Sequence, residues 1–172
     1  GLPADVRTKL NADLRKALLI NAHLNRVAAD EAAFYGANLQ GARLRDALLE
    51  RVHFEDADLR GADLSNATLL DGYFYGANLL KANLTDADLA STDLRRANFR
   101  QANLRRASLQ GALLDNATLD GASLVEADLE SAYLDDASLA SADLHEANLR
   151  GADFRHTHLG GANLRRANLE HA

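Results

Sequence analysis

The sequence predicts an all-β fold: a quadrilateral parallel β-helix of about eight four-sided coils, with a short capping helix at its N-terminus. Three observations predict it. Stepping by five from Leu14 to Leu169 gives 32 positions, which hold 26 Leu, all five Phe (Phe34, Phe54, Phe74, Phe99, Phe154) and Ala29. Two residues earlier, from Ala12 to Ala167, 27 of 32 positions are Ala, with Val27, Val52, Gly72, Thr92 and Thr157 as exceptions. Phe34, Phe54, Phe74 and Phe154 share one register of a 20-residue period, and all four Tyr (Tyr35, Tyr73, Tyr75, Tyr133) flank it.

A period of five fits no single regular element. In an α-helix, at about 100° per residue, successive Leu would scatter around the axis. In one straight strand side chains alternate with period two, so an odd step would flip each Leu to the opposite face. Both objections vanish if the chain turns a corner every five residues. The Ala and the Leu of each unit then point inward, and the residue between them and the two that follow point outward. That middle slot holds eight Asp, eight Asn and five Ser or Thr, short polar side chains that bond nearby backbone and favour turns. The second residue after Leu is Gly in eight units, as a corner with unusual φ prefers. The 20-residue aromatic register makes four sides per coil. Thirty-two units therefore give eight coils, rising about 4.8 Å each, or roughly 38 Å in all.

The chain before the frame reads differently. Leu2, Val6 and Leu10 fall at i, i+4 and i+8 on one helical face, Pro3 suits a first turn and Asn11 suits an end. Residues 1–11 are therefore expected to form an amphipathic cap over the open edge of the first coil. Residues 12–172 form a single β-helical domain, because nothing interrupts the count of five. Its one weak unit is Arg26 to Glu31, where Ala29 replaces Leu. Either Val27 partly refills the space or the chain bulges there.

Composition narrows the function. Among 172 residues there are 34 Ala, 33 Leu, no Cys, no Met, no Trp and a formal net charge of −6. Without Cys there is no disulfide framework, thiolate zinc site or Cys nucleophile. An acidic balance argues against direct nucleic-acid binding, and no apolar run approaches the ~18 residues a membrane span needs. No signal peptide is legible. The cytoplasm is the first expectation for location, with the periplasm or a thylakoid lumen if a leader has been removed.

The units Ala62-Asp63-Leu64-Ser65-Asn66, Ala77-Asn78-Leu79-Leu80-Lys81 and Ala147-Asn148-Leu149-Arg150-Gly151 resemble the pentapeptide-repeat family, whose consensus is A(D/N)LXX. The resemblance covers about residues 12–172. It implies a right-handed quadrilateral parallel β-helix with a solid interior, and it implies little about activity.

Candidate sites follow from sorting outward residues by side. The side with the Phe register sums to −3, the next two to +1 each, and the fourth to −6. The fourth side carries the acidic candidates Asp30, Glu31, Glu50, Asp71, Asp88, Asp128 and Glu130. An acidic stripe on a rod of duplex-like width imitates DNA phosphates; a solvated polar face is the plainer reading. The first side carries the aromatic candidates Tyr35, His53, Tyr73 and Tyr75, of the kind partner surfaces favour and of the kind that also stack well in β ladders. Among the six His only His156 and His158 are close, and no third ligand lies at a supporting spacing, so no metal site is expected. No Ser-His-Asp order, phosphate loop or HExxH motif is present, and a Leu-filled interior leaves no pocket; neither a cofactor nor enzymatic activity is expected. The first expectation is therefore a non-enzymatic scaffold that binds a protein partner through one outer side. The alternative is a DNA-mimicking protector of a type II topoisomerase (gyrase), prompted by resemblance to the quinolone-resistance branch of the family. With no cap after Leu169, the C-terminal coil is expected to join two copies in a homodimer.

Overall fold

The computed structural model describes residues 13–172. The expected helix over residues 1–11 lies outside them. Within the described residues the backbone forms four ladders of parallel bridges, each joining residue i to i+20. The first ladder runs Asp13, Ala33, His53, Tyr73 and onward to Asp153, the second starts at Leu18, the third at His23 and the fourth at Ala28. Each ladder follows the middle slot of the five-residue unit, so the four-sided coil of 20 residues is built as its periodicity requires. No cis peptide bond occurs among the described residues.

The corners explain the period. After each inward large residue the chain makes a four-residue turn, closed by the next Ala amide on the large residue's carbonyl, as from Ala17 N to Leu14 O at 3.0 Å. The third residue of the turn has positive φ at every corner: eight are Gly and 24 are not, from Lys16 (φ 56°) to His171 (φ 62°). This is the sign pattern of a type II turn. A left-handed residue with a side chain is costly, most of all when it is β-branched. No Val, Ile, Thr, Phe, Tyr, Leu, Ala or Pro occupies that slot in any of the 32 units. The cost is offset by a bond to the next coil, as from Lys16 N to Tyr35 O at 2.9 Å.

The remaining amide explains the Asp and Asn. In the inner coils the Ala, middle, large and left-handed residues place their N–H groups in turns or between coils, which leaves the first corner residue. In all 16 units with Asp or Asn in the middle slot, its Oδ1 accepts that amide, as Asp58 does from Arg60 at 3.2 Å and Asn98 from Arg100 at 3.2 Å. Where the slot holds Arg43, Leu48 or Ser138, the coil before supplies the acceptor: Asn25, Asp30 or Asp120.

The interior is solid. The inward Ala and Leu of the inner coils are buried, as are Phe34, Phe54, Phe74 and Phe99. Phe34 and Phe54 stack with centroids 4.8 Å apart, and Phe54 and Phe74 lie 5.1 Å apart at 45°. In the last described coil Phe154, Leu159 and Leu164 are only partly buried and Leu169 is 47% exposed. The Ala29 unit does not bulge. Ala28 bridges Leu48, Leu48 N reaches Val27 O at 2.8 Å, and Val27 packs against the core. At Gly72, in the small slot, an added Cβ would lie 2.8 Å from the Leu69 carbonyl oxygen and 3.0 Å from the Phe74 ring. That same carbonyl accepts the hydroxyl of buried Thr92 at 3.2 Å.

Burial makes the inward assignment testable. Phe74→Ala is expected to cost about 3–5 kcal/mol in urea denaturation, as truncation of a buried ring does. Arg150→Ala removes exposed ion pairs and is expected to cost about 0.5 kcal/mol or less. Equal costs would overturn the assignment.

Candidate functional site

The 20-residue rung brings three of the four aromatic candidates into one column. Tyr35 in the second coil stacks on His53 in the third at 4.9 Å and 24°, and His53 stacks on Tyr73 in the fourth at 4.6 Å and 8°. Rings on successive rungs fall at stacking distance because the coil rise nearly equals that separation. His53 Nδ1 lies 2.7 Å from the Tyr35 hydroxyl and 3.0 Å from Glu55 Oε1, while Glu55 Oε2 is buried with no partner. Burial, followed by the charge of Glu55, pushes the Tyr35 phenol above its ordinary pKa. Tyr75 stands apart from the stack and carries the Arg96 guanidinium 5.5 Å from its ring centroid. The three Tyr remain more than a third exposed.

The acidic candidates share the fourth side, and much of their charge is engaged there. Glu31 and Glu50 meet Arg51 at 3.0 and 3.6 Å, and Glu130 meets Arg150 at 3.2 Å. Asp30 accepts the Glu50 amide at 3.0 Å, and Asp88 accepts the Ala90 amide at 3.1 Å. Asp128 accepts the Glu130 amide at 3.1 Å, Asn148 Nδ2 at 2.9 Å, and a bond from Gln110. Asp71 is exposed at a left-handed corner.

Two arrangements escaped the reading of short spacings. Asp135, Asp136 and His156 bring ligating atoms within 4.8 Å of one another, because residues 20 and 21 apart meet on adjacent rungs. His156 Nδ1 bonds Asp135 Oδ1 at 2.9 Å, and that bond holds the imidazole above its ordinary pKa. The second arrangement is a fork. In Asp13-Leu14-Arg15, Asp58-Leu59-Arg60, Asp93-Leu94-Arg95 and Asp153-Phe154-Arg155 the guanidinium takes both oxygens of the Asp two residues before it, with Nη2–Oδ2 at 2.6 Å for Arg60, 2.7 Å for Arg95 and 2.6 Å for Arg155. On the second side, Leu80, Lys81, Arg100, Gln101, Asp120 and Gly121 border a shallow groove. No helix among the described residues is long and apolar enough to cross a membrane.

A rod of five-residue units with a filled interior and bonded outer rows defines a class of repeat protein. The chain belongs to the pentapeptide repeats family, whose model (eight copies) matches residues 11–46, 42–80, 82–121, 112–151 and 142–172. It is 34% identical to HetL, a pentapeptide repeat protein involved in heterocyst differentiation regulation in the cyanobacterium Nostoc sp. strain PCC 7120, over 91% of this chain and 78% of that one, with a TM-score of 0.34. It is 27% identical to a pentapeptide repeat protein of the Arabidopsis thaliana thylakoid lumen, over 59% of this chain and 61% of that one, with a TM-score of 0.34. It is 19% identical to QnrB1, a plasmid-mediated fluoroquinolone resistance protein, over 90% of this chain and 79% of that one, with a TM-score of 0.48. No curated protein matches the chain. Members of this family are in general structural or interaction modules.

The forks set an acid limb for stability. The arginine of each fork holds its Asp below the ordinary carboxylate range, to about 2 at Asp13 and in the same direction at Asp58, Asp93 and Asp153. A carboxylate lowered on folding contributes its full stabilisation above the unfolded value, about 3.9, and loses it as pH falls through the folded values. The urea midpoint is expected to drop below about pH 4. The double variant Asp58→Asn with Asp93→Asn is expected to flatten that drop; an unchanged profile would refute the role of the forks.

Proposed function

We propose that this chain is a non-enzymatic scaffold that holds a protein partner against the first side of its rod, at Tyr35, His53, Tyr73 and Tyr75. The observation that carries the reading is the Tyr35–His53–Tyr73 stack beside Tyr75: aromatic area fixed on rigid rungs and still open to solvent. Aromatic residues anchored in this way bind at low cost in side-chain entropy. The interior supports the same reading, because Leu and Phe fill it and, among the described residues, no buried cleft is available to desolvate a reacting group. The rod is taken as right-handed, the hand that the family resemblance implies.

The second reading is a DNA mimic that binds a type II topoisomerase. The net charge of −6 on the fourth side favours it, and the pairing of Glu31, Glu50 and Glu130 with arginines weighs against it. A gyrase supercoiling assay separates the two. The scaffold reading expects neither inhibition nor drug protection at tens of micromolar protein, and either effect would favour the mimic.

The side itself is tested by photo-crosslinking. Benzoylphenylalanine is placed in turn at Tyr73 on the first side, Arg100 on the second, Thr85 on the third and Gln110 on the fourth. Crosslinks in a source lysate are expected to concentrate at the first side, in variants whose β signal in circular dichroism is unchanged. Equal yields on four sides would remove the first side as the binding surface.

A further inference from the structure

The charges of the first side are unevenly spent. Its arginines Arg15, Arg95 and Arg155 are each locked to the Asp of their own unit, and Arg96 lies over Tyr75. Its remaining carboxylates have no such partner. Among the described residues, four aspartates form neither an ion pair nor a side-chain hydrogen bond: Asp56, Asp71, Asp115 and Asp136. Three of the four lie on the first side. Glu55 has only His53 as a partner, and its Oε2 is buried without a donor.

Glu55 and Asp56 sit in the third coil, between the rungs that carry Tyr35 and Tyr73. At several other corners an arginine one rung away meets such a carboxylate, as Arg51 does for Glu31 and Arg106 for Asp86. Here the next rung offers Gly76, a residue without a side chain, and Asp56 Oδ1 lies only 2.6 Å from where a Cβ at Gly76 would stand. The position that would carry an internal cation is therefore vacated. Anionic charge without a cation, beside open aromatic rings, is the chemistry that receives an arginine or lysine side chain from outside. Arg96 over Tyr75 shows that a guanidinium seats on the aromatics of this side. Lys16 and Arg96 flank the patch on the first and fifth coils, which restricts it to a short basic stretch and disfavours a long cationic tract.

We propose that the partner of the first side is a protein presenting a short basic segment, whose arginine or lysine side chains pair with Glu55 and Asp56 and lie against Tyr35, Tyr73 and Tyr75. The inference rests on the first side being the partner-binding surface and adds the chemistry of what it holds.

The test is fluorescence anisotropy with a labelled Gly-Arg-Gly-Arg-Gly peptide at physiological ionic strength. The double variant Glu55→Gln with Asp56→Asn is compared with Glu31→Gln and Asp71→Asn, which removes the same charge from the fourth side. Both are checked for an unchanged thermal midpoint. The first pair is expected to weaken the peptide by about tenfold and the second by less than about twofold. Equal weakening would reduce the effect to net charge and overturn the proposal, as would a peptide that binds neither protein. Crosslinks concentrated on the first side together with a peptide that does not discriminate would overturn the basic partner and leave the binding surface standing; loss of both would remove both.

Discussion

Every coil is held to the next by repeated backbone bonds, foremost the one from the amide of the inward large residue to the carbonyl of the middle residue one coil on, as from Leu14 to Ala33 at 2.8 Å and from Phe54 to Tyr73 at 2.7 Å. The bond forms only while the chain returns to the same side after 20 residues. A single inserted residue would move each later Leu toward solvent and leave buried amides without acceptors, at about 1–3 kcal/mol for each such group. The same commitment explains why Pro3, outside the frame, is the one proline of the chain. Within the frame nearly every amide is a needed donor, and proline has none.

This constraint divides the labour of the unit. The two inward positions are consumed by packing and tolerate few residue types, whereas the outward positions are shared between turn chemistry and the surface. Asp88 and Asp128 illustrate the overlap: they contribute to an acidic side in the sequence, and in the structure each accepts the amide two residues on. Charge counted along a side therefore overstates what a partner meets. The aromatic column escapes this overlap. His53 and Tyr73 occupy middle slots that other units give to Asp or Asn, so those units forgo the turn bond and present rings instead.

Much of the architecture was legible because a two-residue inward code repeats without a slip, and the 20-residue aromatic register alone set four sides. The stack of Tyr35, His53 and Tyr73 was legible as a shared side. What was not legible depended on relations between coils. Glycine at eight corners suggested an unusual φ there, and the structure extends it to all 32; the cue for the rest was the absence of β-branched and apolar residues from that slot. Ala29 looked like a weak unit, yet the inter-coil bonds on either side keep its backbone regular. His156 found Asp135 and Asp136 across rungs, at a separation no local motif reports. Asp and Asn, interchangeable in the repeat, also differ in the structure. An Asn amide donates to the Asp or Asn one coil before it, as Asn83 does to Asp63 at 3.0 Å and Asn163 to Asp143 at 2.8 Å. A carboxylate only accepts, and no two middle-slot Asp lie 20 residues apart. Carboxylates one rung apart are thereby avoided in the middle slot.

The regular corner makes the rod a dial as well as a column. Position along the chain, counted in remainders of 20, is also a compass bearing around the axis. A lineage that gains or loses one five-residue unit between Tyr35 and Tyr133 keeps its packing and swings everything beyond that point by a quarter turn, so that two features once on one side face different directions. Gain or loss of a whole coil changes reach and leaves bearing intact. Surfaces read by a partner over several coils are thus inherited in steps of 20 residues, while the interior would accept steps of five.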